Sequence, residues 1–311
     1  MSLARVKVWN PGDVLTAADL NAEFNNILNQ PISLISPTTG VITFTTNQTF
    51  PANQLSGGLP AGSRVLGLNG TLSSQSGTFT ANQYLLQTTA GTGSFLLNST
   101  AAFVVSIGTA GPAAGGRDVA AAFASTYIHW YAITTGLGST ALAGIVSTVP
   151  PPTGPTMPAN YSAWSYLGGS AYTSASTTVL GAHRFKGASA LYEASPVILT
   201  AGAATSETFV TVSSVVPNNA PTYIIGFNGS MVFNSAGDGS GTLDLGYIAG
   251  STYARVANIL TGLGAAHNYP FAVADITFPN VSSSGFFYAF TTGPATLQGF
   301  VRSYRMSNGD V

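Results

Sequence analysis

Two carboxylates, Asp238 and Asp244, enclose a glycine-rich stretch with the sequence DGSGTLD. Paired carboxylates are the acid, base or nucleophile of glycoside hydrolysis, so this spacing suggests a small glycan depolymerase. An Asp-Gly step also has a local role, because it favours a tight turn between two strands. We therefore interpret residues 234–242 as a turn that Asp238 initiates, with Asp244 exposed on a strand, and we expect no enzymatic activity.

The three histidines, His129, His183 and His267, are far apart in the sequence and form no zinc-protease or metal-binding pair. His129 alternates with Tyr127 and Tyr131 in a strand-like segment, which favours a packed side chain. The chain has no cysteine and no G-x-S-x-G nucleophile motif. These observations predict no catalytic residues, no metal and no cofactor.

Aromatic residues cluster in the segment NYSAWSYLGGSAYT. Exposed aromatic rings can stack on sugar rings, so Tyr161, Trp164 and Tyr166 are candidate contacts to a host glycan. The alternative is that these rings fill a sandwich core or a seam between subunits, because large aromatic side chains dominate such burial.

The 311-residue chain is poor in charge, with 6% charged residues against about 25% in ordinary soluble proteins. A surface with so little charge gains little solubility from electrostatics, which favours an assembled protein. The nine Lys and Arg residues are scattered, so no basic stripe for nucleic acid is present. We also expect no signal peptide and no membrane insertion, because no apolar run is long enough.

The segment WNPGDVLTAADLNAEFNNILN, residues 9–29, has the pattern of one short amphipathic helix. Thr16 is a suitable N-cap, Asp19 completes a variant of the capping box, and Pro31 ends the run. A helix of about 12 to 15 residues is marginal alone in water, so its apolar stripe must dock on something. This stripe comprises Leu20, Phe24, Ile27 and Leu28.

The rest of the chain has the pattern of strands and turns, so we predict an all-β body of sandwich or jelly-roll type. A short alanine-rich stretch, residues 117–125, is the one helical candidate within it. Several strands are apolar on both faces, which predicts burial inside a sandwich or against a neighbouring subunit. The clearest predicted strands are residues 127–133, 209–216, 222–233, 269–278, 285–290 and 299–306.

Four regions are predicted from these patterns. They are an N-terminal helical arm at 1–30, an extended connector at 31–70, a first β region at 71–204 and a C-terminal β-sandwich region at 205–311.

Two stretches carry a resemblance to a known class of proteins. The opening VWNPGDVLTAADLNAEFNNIL resembles the N-terminal arm of structural proteins of tailed bacteriophages, especially tail fibres of short-tailed phages. The segments GGRDVAAAFASTYIHWYAI and GPTMPANYSAWSYLGGSAYTSAS are similar to a G-R-D, W-Y-x-I, P-x-L-P-x-x-Y pattern of the same appendage proteins. Met157 stands where that pattern usually has Leu, and Leu167 where it has Ile.

The resemblance implies a structural virion protein, made in the cytoplasm of the bacterial host and built into the phage tail as a homotrimeric tail fibre. Its arm would attach to tail or portal-proximal tail proteins through Trp9, Leu20, Phe24, Ile27 and Leu28, and its distal body would contact the host surface. The alternatives are a head fibre or capsid decoration protein, the glycan depolymerase and a free carbohydrate-binding module.

Overall fold

The computed structural model divides into two compact units, Met1–Phe50 and Pro51–Val311. The structure describes residues 12, 14, 16–19, 21, 64–73, 75–90, 93–136, 139, 141–173, 178–179, 183–233, 237–252, 254–263, 267–281, 284–290 and 295–306.

In the first unit, the described residues hold the start of the predicted helix. Residues 17–19 and 21 are helical. The Thr16 hydroxyl accepts a hydrogen bond from the Asp19 backbone N–H at 3.2 Å and donates to the Asp19 carboxylate at 2.5 Å. The predicted cap at Thr16 is therefore confirmed. The predicted attachment residues lie outside the described residues; they are Trp9, Leu20, Phe24, Ile27 and Leu28.

In the second unit, every pairing between the described strands is antiparallel. The strands are β1 Arg64–Leu66, β2 Asn69–Ser73, β3 Ser76–Thr80, β4 Gln83–Thr88, β5 Ser94–Asn98, β6 Phe103–Ser106, β7 Thr126–Thr134, β8 Leu142–Ser147, β9 Ala163–Thr173, β10 Thr178–Val179, β11 His183–Lys186, β12 Ser189–Tyr192, β13 Val197–Gly202, β14 Thr208–Thr211, β15 Thr222–Phe233, β16 Gly237–Gly246, β17 Ala254–Leu263, β18 His267–Pro279, β19 Gly285–Phe290 and β20 Ala295–Arg305.

These strands form three sheets. A seven-stranded sheet has the order β1-β4-β9-β7-β8, with β5 paired to β4 and β10 to β9. A nine-stranded sheet has the order β18-β15-β20-β12-β11-β2-β3-β6, with β13 paired to β20. A four-stranded sheet has the order β14-β19-β16-β17. The predicted all-β fold class is confirmed, and the predicted strands at 127–133, 222–233, 269–278 and 285–290 correspond to β7, β15, β18 and β19.

One half of the nine-stranded sheet packs on the seven-stranded sheet. Phe79 of β3 lies 5.5 Å from Trp130 of β7 between ring centroids, and Phe103 of β6 lies 6.4 Å from Tyr84 of β4. Phe79, Tyr84 and Trp130 are fully buried. Each pair joins one sheet to the other, so this half of the body is a β-sandwich with an aromatic core.

The other half of the nine-stranded sheet packs on the four-stranded sheet. Phe286 of β19 contacts Phe227 of β15 and Phe278 of β18, at centroid distances of 5.3 and 5.7 Å. Pairing of β12 with β20 joins the two halves, with Ala190 opposite Tyr304. The second unit is thus two sandwiches that share one continuous nine-stranded sheet.

The predicted helix at residues 117–125 does not form. The backbone of Arg117 pairs with Val146 of β8 in a parallel bridge, and the following residues are bends. The Arg117 guanidinium donates to the carbonyl oxygens of Ile107 and Ala120 at 2.6 and 2.9 Å. These tertiary hydrogen bonds outweigh the helix propensity of a short alanine-rich stretch.

Two other local predictions were too long. The predicted strand at 209–216 is a strand only to Thr211, because the chain then turns and the hydroxyls of Tyr127 and Tyr192 bind the carbonyl oxygens of Ser213 and Val215. Residues 237–242 of the predicted turn belong to strand β16, which begins at Gly237. Asp238 therefore lies within a strand and does not initiate the turn.

Candidate functional site

The aromatic residues predicted to contact a glycan belong to the sandwich interior. Trp164 is 3% exposed and Tyr166 is 1% exposed, while Tyr161 is half-buried and packs against the core. The Trp164 ring meets Tyr131 edge-on at 5.3 Å, and a side chain at Gly154 would lie 2.6 Å from it. Neither Trp164 nor Tyr166 presents a ring face to a ligand, so their positions fit the alternative of core filling.

The two candidate carboxylates are too far apart to act together. Asp238 and Asp244 lie six residues apart on β16, which is roughly 20 Å along an extended strand. Glycosidase carboxylates are separated by about 5 to 10 Å. The side chain of Asp238 lies outside the described residues, whereas Asp244 accepts two hydrogen bonds from Arg255, at 2.6 and 2.9 Å. These two residues therefore do not form the acid pair that the sequence suggested.

Two of the histidines belong to buried polar contacts between strands. The Nδ1 atom of His129 lies 3.1 Å from the Tyr166 hydroxyl, which also accepts a hydrogen bond from the Asn219 amide at 3.0 Å. His183 Nε2 lies 3.2 Å from the Tyr304 hydroxyl, which donates to the Gly169 carbonyl. The packed interpretation of His129 is confirmed, because only 2% of this residue is exposed. The side chain of His267 lies outside the described residues.

Burial of His129 predicts a loss of stability in acid. Burial lowers the pKa of His129 to about 4, against about 6.5 in the unfolded chain. The unfolded state therefore takes up a proton between these pH values while the folded state does not, so stability falls as the pH drops from 6.5 to 4. We expect this residue alone to account for about 2.5 kcal/mol of lost stability at pH 4.5.

The measurement is urea unfolding of the native protein and a His129→Gln variant at about pH 7 and pH 4.5. The variant should be less stable than the native protein at neutral pH but should lose clearly less stability on acidification. An equal loss in both proteins would show that His129 does not carry this pH dependence.

The G-R-D and W-Y-x-I residues make buried contacts with the segment between β8 and β9. Asp118 is 2% exposed, and its carboxylate accepts hydrogen bonds from the Ser147 hydroxyl at 2.6 Å and the Thr156 backbone N–H at 3.3 Å. Tyr131 donates to the Val149 carbonyl at 2.6 Å. The G-R-D and W-Y-x-I residues thus hold the segment between β8 and β9 in place, and their contacts are structural.

The outer face of the four-stranded sheet is a better candidate for a binding site. Phe209 of β14 and Phe287 of β19 are register partners, and their rings lie 5.0 Å apart between centroids. Phe209 is 40% exposed and Phe287 is half-buried. On β16, Gly246 is the register partner of Phe287, and Asp244 that of Ala289.

A cavity of about 230 Å³ opens beside these residues, and we call it the aromatic cleft. Its lining combines apolar ring surface with hydroxyl and carboxylate oxygens. The lining residues are Glu207, Asp244, Leu245, Gly246, Gly250, Ser251, Thr252, Phe287, Tyr288 and Ala289.

Electrostatics around the aromatic cleft are set by three side chains. The ion pair and hydrogen bonds to Asp244 raise the pKa of Arg255, so this guanidinium stays charged. Both Glu207 carboxylate oxygens accept from the Gly250 N–H, at 2.8 and 2.9 Å. The lining thus brings two carboxylates to the cleft, and Arg255 pairs with one of them, so these three side chains together carry a net negative charge.

Sequence reasoning missed the aromatic cleft. The segment GFFYAF is apolar at alternate positions on both faces, so its pattern does not show that Phe286 and Tyr288 point inward and Phe287 outward. The pairing of Phe209 with Phe287 also joins positions 78 residues apart, and no local signal reveals such a contact.

Comparisons with known proteins place the chain in no family. No protein-family profile and no curated protein matches it. Among solved structures, the chain is similar to the crystal structure of the infectious bursal disease virus VP2 subviral particle, with 9% sequence identity and a TM-score of 0.19. The similarity covers 79% of this chain and 70% of that chain. A TM-score this low does not show a shared fold.

The described residues contain neither a metal-binding cluster nor a membrane-spanning helix. No group of three or more His, Asp or Glu side chains in that part of the chain is arranged to hold a metal ion. Within the same residues, no helix has the length and apolar character that crossing a membrane requires.

Proposed function

We propose that this protein is a structural virion component, a bacteriophage tail fibre that is fixed to the tail by its N-terminal arm. The proposal rests on the contact between two segments, residues 115–133 and 154–176, that resemble phage appendage proteins. Asp118 of the first segment binds the Thr156 backbone of the second, and Tyr131 of the first packs on Trp164 of the second. Two segments that resemble the same class of proteins and also contact each other in the fold favour an architecture shared with that class over a chance similarity of sequence.

The N-terminal arm is the proposed attachment device. The cap between Thr16 and Asp19 starts a helix whose predicted stripe, Leu20, Phe24, Ile27 and Leu28, needs a partner surface. We propose tail or portal-proximal tail proteins as that partner, with Trp9 as an additional anchor because large aromatic side chains often dominate interface energy. The fibre is made in the cytoplasm of the bacterial host and is then assembled into the virion.

We propose a homotrimer with a non-enzymatic body that contributes to attachment at the host surface. The solvent face of the nine-stranded sheet supports subunit packing, because it exposes apolar side chains among hydroxyl groups. One register row across it carries Val104, Thr78, Thr71, Arg184, Leu191, Ser303, Ile224 and Thr277, and Val104 and Leu191 are 56% and 45% exposed. The same face also carries the exposed charges Arg184, Lys186 and Arg305, so we propose that a sister chain packs on the apolar and hydroxyl side chains and leaves these charges in water.

The arm predicts a sharp effect of Phe24→Asp. This change places a carboxylate in the docked apolar stripe, where an unpaired buried charge is costly. We expect the variant protein to be nearly absent from purified virions when it is the only copy supplied during infection. Quantitative mass spectrometry of gradient-purified particles measures its amount relative to the major capsid protein.

The control is Ala18→Asp, which introduces the same carboxylate at an exposed position on the opposite side of the predicted helix. Near the start of a helix an added carboxylate is favourable, so this variant should enter virions normally. Normal incorporation of the Phe24→Asp protein would contradict the docked stripe.

A further inference from the structure

Phe209, which is exposed, and Phe287, which is half-buried, adjoin on the outer face of the four-stranded sheet. A side chain at Gly285 would lie 2.3 Å from the Phe209 ring, so this glycine leaves the space in which the ring lies flat along the sheet. Phe209 contacts Phe287 with an interplanar angle of 53°. The sheet thus presents two adjoining aromatic rings on its outer face.

The wall of the aromatic cleft is held in a defined position. Gly250 has a φ of +75°. Its N–H donates to the carboxylate of Glu207, which lies 43 residues earlier in the sequence. The Ser251 carbonyl oxygen lies close to Gly246, because a Cβ atom at position 246 would be 2.2 Å from that oxygen. The turn that carries Ser251 and Thr252 is therefore fixed, and the Ser251 hydroxyl holds it further by donating to the Ile248 carbonyl at 3.0 Å. A fixed turn lowers the conformational entropy lost on binding.

The polar groups of the cleft favour a ligand rich in hydroxyl groups. Each carboxylate oxygen has two lone pairs, so Asp244 can accept further hydrogen bonds while it remains paired with Arg255. The net negative charge disfavours nucleic acids and acidic polymers. A neutral pyranose has an apolar C–H face that stacks on an aromatic ring and a rim of hydroxyl groups that donate to carboxylates.

From this geometry we infer that the aromatic cleft binds a neutral hexopyranose unit of a glycan. Phe287 of the cleft lining forms the stacking surface, which the adjoining Phe209 ring extends outside the lining, and Asp244 accepts hydrogen bonds from the sugar hydroxyls. The inference goes beyond the proposed virion role and does not depend on it, because sugar binding is measured on the isolated full-length chain.

Methyl glycosides of glucose, galactose, mannose and N-acetylglucosamine are the probes, measured by saturation-transfer NMR and by titration calorimetry. At least one should bind with a dissociation constant of about 1 mM, the range of a small contact. Phe209→Leu and Phe287→Leu keep an apolar side chain but remove the ring face, so each should weaken binding about tenfold. Asp244→Asn should also weaken binding, and a methyl glucuronide should bind less tightly than the matching glucoside.

Matched controls come from an aromatic ring and a paired carboxylate on the nine-stranded sheet, outside the aromatic cleft. Phe300 lies 4.4 Å from the Arg302 guanidinium, and Arg302 pairs with Asp275 at 3.3 Å. Phe300→Leu and Asp275→Asn therefore remove an aromatic face and a paired carboxylate outside the cleft, and both should leave sugar binding unchanged. Thermal unfolding of each variant shows whether it is folded at the temperature of the assay.

Two results would overturn the inference. The first is no binding of any of the four glycosides at about 50 mM, which is far above the expected dissociation constant. The second is an equal loss of binding in the cleft variants and the control variants. Neither result bears on incorporation into virions, so failure here and failure of the proposed virion role are distinguishable.

Discussion

Asp118→Ala is expected to lower the free energy of unfolding by about 3 kcal/mol. The change leaves the Ser147 hydroxyl and the Thr156 N–H without their acceptor at a site where Asp118 is 2% exposed. Hydrogen bonds to a charged group contribute about 1.5 to 3 kcal/mol each, and orphaned buried donors add a desolvation cost. Urea unfolding followed by circular dichroism measures the change, provided that the transition is two-state.

The matched control is Asp275→Ala. This carboxylate is 54% exposed and is paired with an exposed Arg302, so its removal should cost less than about 1 kcal/mol. Asp118→Asn should lie between the two, since its amide oxygen can still accept from Ser147 or Thr156. Equal effects of Asp118→Ala and Asp275→Ala would contradict the structural role of the G-R-D segment.

Deleting residues 1–30 should abolish incorporation into virions while the β body stays folded. The strands that build the three sheets begin at Arg64, and their cores are made by residues of the second unit. Circular dichroism and thermal unfolding should therefore be close to those of the full chain. Mass spectrometry of purified particles should detect the full-length protein and not the truncated one.

The control for this experiment is a deletion at the other end of the chain. Removing residues 307–311 takes away a segment that follows the last strand, which ends at Arg305, and should leave incorporation normal. Virions that carry the truncated 31–311 chain in normal amounts would show that the arm is not the attachment device.

Strand prediction succeeded where the local pattern and the tertiary contacts agree. The segment 222–233 is β-branched and aromatic, and it forms β15 with the predicted bounds because both of its neighbours, β18 and β20, pair along it. Residues 117–125 show the opposite case. Their alanines favour a helix, but Arg117 and Asp118 form hydrogen bonds with distant segments, and these contacts determine the backbone.

The candidate site was less predictable than the fold. Trp164 and Phe287 both lie in aromatic strands, yet Trp164 is 3% exposed and Phe287 is half-buried on an outer face. Which face of a strand is covered depends on the sheet that packs against it. The pattern of a strand that is apolar on both faces contains no information about that partner.

The most direct test of the proposed role is the location of the protein on the virion. A gold label on a C-terminal tag, viewed by electron microscopy of purified phage particles, provides this measurement. The proposal predicts gold at the tail, with the label displaced outward from the attachment point. Gold on the capsid would identify a head fibre or decoration protein instead, and particles without any label or detectable chain would contradict a virion role altogether.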